Sequence, residues 1–168
     1  MREPSPDFLS IVFSDLTILS ALGVDVSESM WSPTNDNIKI LSSLFDQVFT
    51  SFAGKPLYPT LIDKAANLLY LVANDHKFEN GNKRTAVVSM LILLAINDSW
   101  LSMSPDDLHE LAVEVVKSKQ SKNEVIQHIK SALQSSLITS THVFTNDELA
   151  IITVQQGVSH ERNRTQRP

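Results

Sequence analysis

The sequence contains no cysteine, only four glycines and no long uninterrupted apolar run. Without cysteine the chain cannot form disulfides, thiolate nucleophiles or cysteine-ligated zinc sites, and this composition suits a reducing compartment. The apolar runs are interrupted before the roughly 18 residues that a membrane span requires, and the first residues lack the basic and apolar zones of a signal peptide. We therefore expect a cytoplasmic protein with no membrane-embedded segment.

Basic residues are also in the minority. The chain has 14 lysines and arginines against 19 aspartates and glutamates, which gives a net charge of −5. A general nucleic-acid binder needs a basic face to neutralise phosphates, so we expect no direct contact with nucleic acid. A hydrophobic content of 42% in 168 residues is ordinary for one globular domain. Any basic patch must therefore be local.

Apolar residues recur at helical spacing through most of the first 135 positions. Several of these segments begin at a serine or threonine that can cap a helix, and two of them have proline at the first helical position. Residues 121–124 resemble a capping box. Helices are predicted over residues 8–22, 36–52, 61–75, 84–96, 105–117 and 121–133. The fold class that follows is all-α, a helical bundle whose opening helix is mostly buried.

Residues 53–59 interrupt this helical pattern. They contain two prolines and a glycine, which exclude a helix and predict a short extended turn or hairpin. After residue 135 the composition changes, and the last dozen residues are polar and basic. We divide the chain into an N-terminal helix and connector (1–35), a core (36–135) and a C-terminal extension (136–168) whose end we expect to be disordered.

The most informative stretch is residues 76–85, HKFENGNKRT. It has the composition of a polar loop that ends on a helix N-terminus, where unpaired N–H groups and the helix dipole attract anions. Gly81 can adopt a positive φ that lets successive N–H groups converge on one oxyanion. Lys83 and Arg84 add positive charge, and Arg84 can bind phosphate through two parallel hydrogen bonds. The stretch therefore predicts phosphate chemistry, and a solvated turn with a helix cap is the alternative.

His76 is the candidate general base, because an imidazole beside an anion site can take a proton from a hydroxyl that attacks phosphorus. The alternative is a histidine that closes the preceding helix at the negative end of its dipole. Phe78 is predicted to anchor the loop in the core. Glu79 and Asn80 could reach Mg²⁺, which prefers hard oxygen ligands. For Glu79 a solvent-facing position is the alternative.

These residues resemble the signature of the Fic/Doc (Fido) family, His-x-Phe-x-(Asp/Glu)-Gly-Asn-(Gly/Lys)-Arg. The departure is Asn80, which stands at the position of the metal-binding acid. The sequences LYPT at 57–60 and KAANLLY at 64–70 are similar to the flap and the helix that precedes the motif in this family. The resemblance spans roughly residues 38–133. It implies a Fido-type helical bundle with a small β-hairpin or extended flap.

The resemblance also implies roles for the motif residues. The activity would be a nucleotide-dependent transfer to a protein hydroxyl, with ATP as co-substrate and Mg²⁺ as the metal. His76 would act as the general base, while the Gly81 backbone and Asn82 would hold phosphate. Lys83 and Arg84 would complete the nucleotide-binding group. The metal ligand would be Asn80, with Glu79 as its substitute.

The flap has its own implied role. Lys55, Pro56, Leu57 and Tyr58 would align a target peptide by strand-like backbone pairing. The partner would be a target protein that offers a serine, threonine or tyrosine hydroxyl. A homodimer is an arrangement that the sequence leaves open.

Two positions favour the Doc branch of the family. Lys83 stands where most other members carry glycine, and Val87 stands where many adenylylating members carry a second arginine. The inhibitory Ser/Thr-x-x-x-Glu pattern is missing before the motif and after residue 135. The resemblance thus implies a Doc-like toxin of a toxin–antitoxin pair, which transfers the γ-phosphoryl group of ATP to a target such as a translation factor. Its restraint would be a separate antitoxin chain.

Two alternatives stay open at the level of sequence. The first is a Fic-type protein adenylyltransferase, which would transfer AMP instead of phosphate. The second is a catalytically weak Fido-fold binding module, which the missing acid at Asn80 would allow.

Overall fold

The computed structural model describes residues 1–15, 17, 20 and 33–139. Within these residues the chain forms six helices and two small antiparallel sheets. The helices are α1 (Pro6–Ser14), α2 (Asn35–Phe49), α3 (Leu61–Asn74), α4 (Asn82–Ala95), α5 (Pro105–Lys117) and α6 (Lys122–Ser136). The strands are β1 (Ser51–Phe52), β2 (Lys55–Pro56), β3 (Ser99–Leu101) and β4 (Leu137–Thr139). The fold is an all-α bundle with a small flap, as predicted.

The core of the bundle is built around α3 and α4, which pack on each other more extensively than any other pair of described elements. Almost every residue of α4 from Thr85 to Leu94 is buried, so this helix has no solvent-facing stripe. Helices α2, α5 and α6 cover α3 and α4, and α1 packs on α2. Burial of each leucine or isoleucine here stabilises the fold by about 1.5–3 kcal/mol. The loop between α3 and α4 (residues 75–81), which we call the active loop, is therefore attached to the two helices that pack most extensively.

The opening helix is shorter than predicted. Helix α1 ends at Ser14, and Asp15 is extended with φ −104° and ψ 99°. The Asp15 carboxylate accepts a hydrogen bond of 2.9 Å from the N–H of Thr17, a local bond that competes with helix continuation. Ile11 is 41% exposed, so α1 buries one face rather than its whole circumference. The continuous helix over residues 8–22 is thus wrong, and the predicted connector up to residue 32 lies outside the described residues.

The predicted hairpin is confirmed. Strands β1 and β2 pair antiparallel, with Ser51 opposite Pro56 and Phe52 opposite Lys55. The two turn residues, Ala53 and Gly54, have φ values of 49° and 75°. Positive φ at both central positions gives the turn the twist that two-residue hairpins need. We call the segment from β1 through Tyr58 the flap.

The second sheet was not predicted. Strand β4 follows α6 directly and pairs antiparallel with β3, with Trp100 opposite Ile138. Strands of three residues are too short to show a period-2 pattern in sequence. Their pairing also joins segments that lie far apart in the chain. The first residues after the predicted core boundary at 135 therefore pair with the core, while the expected disorder near the C-terminus falls outside the described residues.

Among the described helices, none has the length and the apolar character that a membrane span requires.

Capping boxes begin α5 and α6. The Ser104 hydroxyl donates to the Asp107 carboxylate at 2.8 Å, and the Ser121 hydroxyl donates to Glu124 at 2.7 Å. Each carboxylate also accepts the backbone N–H of its serine. These bonds, the hydroxyl first, hold the pKa of Asp107 and the pKa of Glu124 below their ordinary values.

The capping carboxylates make stability depend on pH. A lowered folded-state pKa contributes stability that is present above the unfolded-state pKa and is lost as the pH falls through the folded value. We expect the melting temperature to fall between about pH 5 and about pH 3, and to fall less in the double variant Asp107→Asn/Glu124→Gln. Circular dichroism melts at each pH measure this. The control Asp106→Asn/Glu110→Gln removes the same number of charges, both from α5, without changing a capping side chain, and an equal acid loss in both double variants would contradict the prediction.

Candidate active site

The loop between α3 and α4 has two residues with left-handed backbone. Helix α3 ends at Asn74, and after the Asp75 cap His76 adopts φ 46°. Gly81 adopts φ 76° and is the N-cap of α4. The loop thus joins two closely packed helices within residues 75–81. His76, the first of these two residues, is exposed to solvent.

Asn82 holds the loop closed on itself. Its side-chain oxygen accepts the N–H of Phe78 at 3.2 Å, and its side-chain nitrogen donates to the Phe78 carbonyl at 2.7 Å. The Phe78 ring is 3% exposed and lies in the hydrophobic core. One carboxamide therefore satisfies both backbone groups of the residue that anchors the loop. The side chain proposed from the family resemblance to hold phosphate is engaged in ordering the loop.

Helix α4 is capped differently from its neighbours. The five other described helices begin at a serine or threonine whose hydroxyl accepts a backbone N–H of the first turn. Helix α4 begins at Gly81, which has no side-chain acceptor, and its first turn contains no acidic residue. The Gly81 carbonyl accepts the N–H of Thr85 at 2.8 Å, which is the bond that starts the helix. The positive end of the dipole is therefore available to an external anion.

A cavity of about 470 Å³ opens in front of this turn. Its size lies within the range of about 300–1,000 Å³ that small-molecule sites occupy. It is lined by Ala73, His76, Glu79, Asn80, Gly81, Asn82, Lys83, Arg84, His109 and Val116. One pocket therefore combines two imidazoles, a helix N-terminus, two cationic side chains and three oxygen-bearing side chains.

The structure gathers the predicted loop residues at one place. The candidate base, the phosphate-binding group and both candidate metal ligands all line the cavity. Phe78 is buried beneath it, and the flap residues Lys55–Tyr58 are not among the lining residues. Contact of the flap with a bound target stays a prediction.

Sequence reasoning did not identify the opposite wall of the pocket. His109 and Val116 both come from α5 and contribute a second imidazole and an apolar surface. Their spacing of seven residues places them on one face of the helix, which is a signal present in the sequence. That this face is turned toward the loop follows only from how α5 packs on α3 and α4.

The pocket can supply few ligands to a metal on its own. In the described ranges no group of three or more histidine, aspartate or glutamate side chains is placed to hold an ion. Glu79 and Asn80 still offer one carboxylate and one carboxamide oxygen at the pocket wall. Mg²⁺ in nucleotide sites takes one or two protein ligands and completes its shell from phosphate and water. The residues present therefore fit a nucleotide-borne Mg²⁺ and not an independent metal centre.

The stretch that contains the flap and the loop is similar to a known protein family. A model of the Fic/DOC family matches residues 19–94. The match includes the flap, α3, the active loop and nearly all of α4, and it supports the Fic/DOC family as the origin of the motif. It ends before α5, so His109 and Val116 line the pocket from outside the matched stretch. No curated protein matches the chain.

The double hydrogen bond of Asn82 predicts a measurable loss on truncation. Asn82→Ala should destabilise the protein by about 2 kcal/mol, because two backbone groups of Phe78 lose their partner. Asn74→Ala is the control, since Asn74 makes one bond of 3.1 Å to the Tyr70 carbonyl at the end of the preceding helix. Urea unfolding of both variants gives the free energies, and equal losses in the two would contradict the special role of Asn82.

Proposed function

We propose that this protein is a nucleotide-dependent transferase that modifies a hydroxyl of a target protein. In its most specific form the proposal is a Doc-like toxin that transfers the γ-phosphoryl group of ATP. The observation that carries the proposal is the shared pocket, which sets His76 beside an uncapped helix N-terminus and the cations Lys83 and Arg84. The Fic/DOC match over residues 19–94 supports the transferase class.

The chemistry follows from the charges around the pocket. Lys83, Arg84 and the first turn of α4 would bind the phosphate oxygens and stabilise the negative charge that they carry in the transition state. The target hydroxyl oxygen attacks the γ-phosphorus while His76 takes its proton. The bond from phosphorus to the bridging oxygen breaks, and ADP leaves. Mg²⁺, bound through Glu79 or Asn80 and the nucleotide, would neutralise the phosphates and orient them.

The residue after Asn82 supports phosphate transfer over AMP transfer. Lys83 is exposed and lines the pocket, where it occupies space that a glycine would leave open for a β-phosphate. Val87 packs against the core one turn further along α4 and is not a pocket residue. Position 87 is where many adenylylating members of the family carry a second arginine, and this chain has valine there. Adenylyl transfer is the alternative that the test must separate.

The proposed partners follow from the reaction. The acceptor is a protein with a serine, threonine or tyrosine hydroxyl, and a translation factor is the target class for a Doc-like toxin. An antitoxin chain is the proposed restraint. The specific feature that favours a binding module instead is Asn80, because a carboxamide binds a hard dication less well than a carboxylate.

The decisive experiment follows the label from ATP. The protein is incubated with a cell lysate, Mg²⁺ and ATP labelled at either the α- or the γ-phosphate. We expect γ-label on protein, reduced at least about a hundredfold in His76→Ala because a general base is lost. His128→Ala is the matched control, since this exposed histidine of α6 bonds to Glu114 at 3.1 Å and lies outside the pocket.

The other two outcomes of the label-transfer experiment would indicate different functions. Transfer of α-label that requires His76 would establish adenylyl transfer. The absence of histidine-dependent label from both positions would support the binding module and contradict the transferase proposal.

The metal position generates a second prediction. If the carboxamide of Asn80 limits Mg²⁺ affinity, Asn80→Asp should raise activity at low Mg²⁺ by adding a charged oxygen ligand. Titration of transfer against Mg²⁺, and of Mg²⁺ binding in the presence of ADP, measures the change. Asn123→Asp adds the same charge at an exposed position of α6 outside the pocket and serves as control. An unchanged Mg²⁺ dependence in Asn80→Asp would sink this account.

A further inference from the structure

Lys64 is a buried cation in the second turn of α3. Its residue is 4% exposed, and burial lowers the pKa of its ammonium group. Removal of a lysine from water is costly unless its donors are satisfied, and lysine is among the residues least often buried. The burial of Lys64 therefore requires partners for its ammonium group.

The ammonium group bonds to both ends of the flap. Nζ donates to the carbonyl of Val48 at 3.0 Å and to the carbonyl of Tyr58 at 2.6 Å. Val48 lies one residue before the end of α2, and Tyr58 follows β2, so the whole hairpin lies between the two bonded carbonyls. Nζ also lies 4.9 Å from the centre of the Phe49 ring. One cation thus closes the base of the flap and binds it to α3.

The hairpin has little else to hold it. Residues 51–57 are all exposed, and its large apolar side chains Phe52 and Leu57 are 81% and 55% exposed. Beyond the pairing of β1 with β2, the Leu57 N–H donates to the Thr50 carbonyl at 2.9 Å. A two-stranded hairpin without a buried face is marginal by itself. Its orientation therefore depends on its base, where Phe49 and Tyr58 are half-buried and Lys64 bonds to both sides.

Two carboxylates near Lys64 are compatible with its bonds to the flap carbonyls. Asp63 and Glu3 are the carboxylates that favour the ammonium form. Asp63 is itself engaged by Lys130 at 2.5 Å and by the Thr60 hydroxyl at 2.7 Å. The ion pair of Asp63 is thus with Lys130. The ammonium group of Lys64 makes its hydrogen bonds to the carbonyls of Val48 and Tyr58.

We propose that Lys64 is a positioning residue that fixes the flap on α3, the helix that leads into the active loop at His76. From Lys64 to the end of α3 the helix spans about 15 Å, so it is a rigid spacer between the base of the flap and the loop. The use of the flap for target docking rests on the proposed function, whereas its fixation by Lys64 does not.

The test measures the flap directly in the full chain. Hydrogen–deuterium exchange resolved by NMR is compared in wild type, Lys64→Met and Lys64→Arg. We expect Lys64→Met to speed exchange of the flap amides, including that of Leu57, by about tenfold, because charge-assisted bonds at the base are lost. Exchange in residues 75–81 and in α4 should stay unchanged, and Lys64→Arg should restore most of the protection. Lys130→Met is the matched control, since it removes a neighbouring cation that does not touch the flap.

Two exchange results would overturn the proposal. One is unchanged flap exchange in Lys64→Met, and the other is an equal rise throughout the bundle, which would mark Lys64 as a general stabilising residue. Should Lys64→Met fail to fold, Lys64→Gln, which keeps a donor, is measured in the same way. Global unfolding of both variants would also count against a positioning role.

A functional arm separates this inference from the proposed function. ATP affinity, measured by calorimetry, should be the same in wild type and Lys64→Met, while label transfer to lysate protein at low protein concentration should fall about tenfold. A loss of ATP affinity in Lys64→Met would contradict a role confined to the flap. Failure of the wild type to transfer label would count against the proposed function, and the exchange result would still decide the role of Lys64.

Discussion

The active loop depends on one hydrogen-bonded pairing, in which the carboxamide of Asn82 satisfies both backbone groups of Phe78. Because Phe78 is buried and Asn82 is the first residue of α4, this pairing ties the loop to the core and to the motif helix together. Every other feature of the pocket is arranged around it. The N-terminus of α4 can face an anion because Gly81 begins the helix without a side-chain cap, and the pairing holds that turn in place.

The bundle around the loop explains why so small a site can be rigid. Helix α4 is buried on nearly all sides from Thr85 onward, so its partly exposed first turn is continuous with an element that is fixed in the core. Helix α3 carries both the active loop at its C-terminal end and Lys64 near its N-terminal end. The site is thus assembled on the two helices that pack on each other most extensively, while the flap, which we propose to meet a target, is exposed and attached at its base.

Local signals in the sequence predicted much of this arrangement, and tertiary contacts account for what they missed. Serine and threonine caps, prolines and apolar periodicity predict most helices to within a few residues, because these signals act within one turn. The loop residues were found together because they are adjacent in sequence. The β3–β4 pairing, the α5 wall with His109 and the role of Lys64 depend on contacts between distant segments. The end of α1 was missed because Asp15 forms a local bond that the apolar pattern does not reveal.

The left-handed backbone of His76 has a cost in folding free energy. A side chain at a positive φ of 46° costs about 1–2 kcal/mol relative to glycine, which adopts the same conformation without penalty. Glycine is the residue that best terminates a helix at this position. The fold alone would therefore be served better by glycine, and the imidazole is held at the edge of the pocket at the expense of folding free energy.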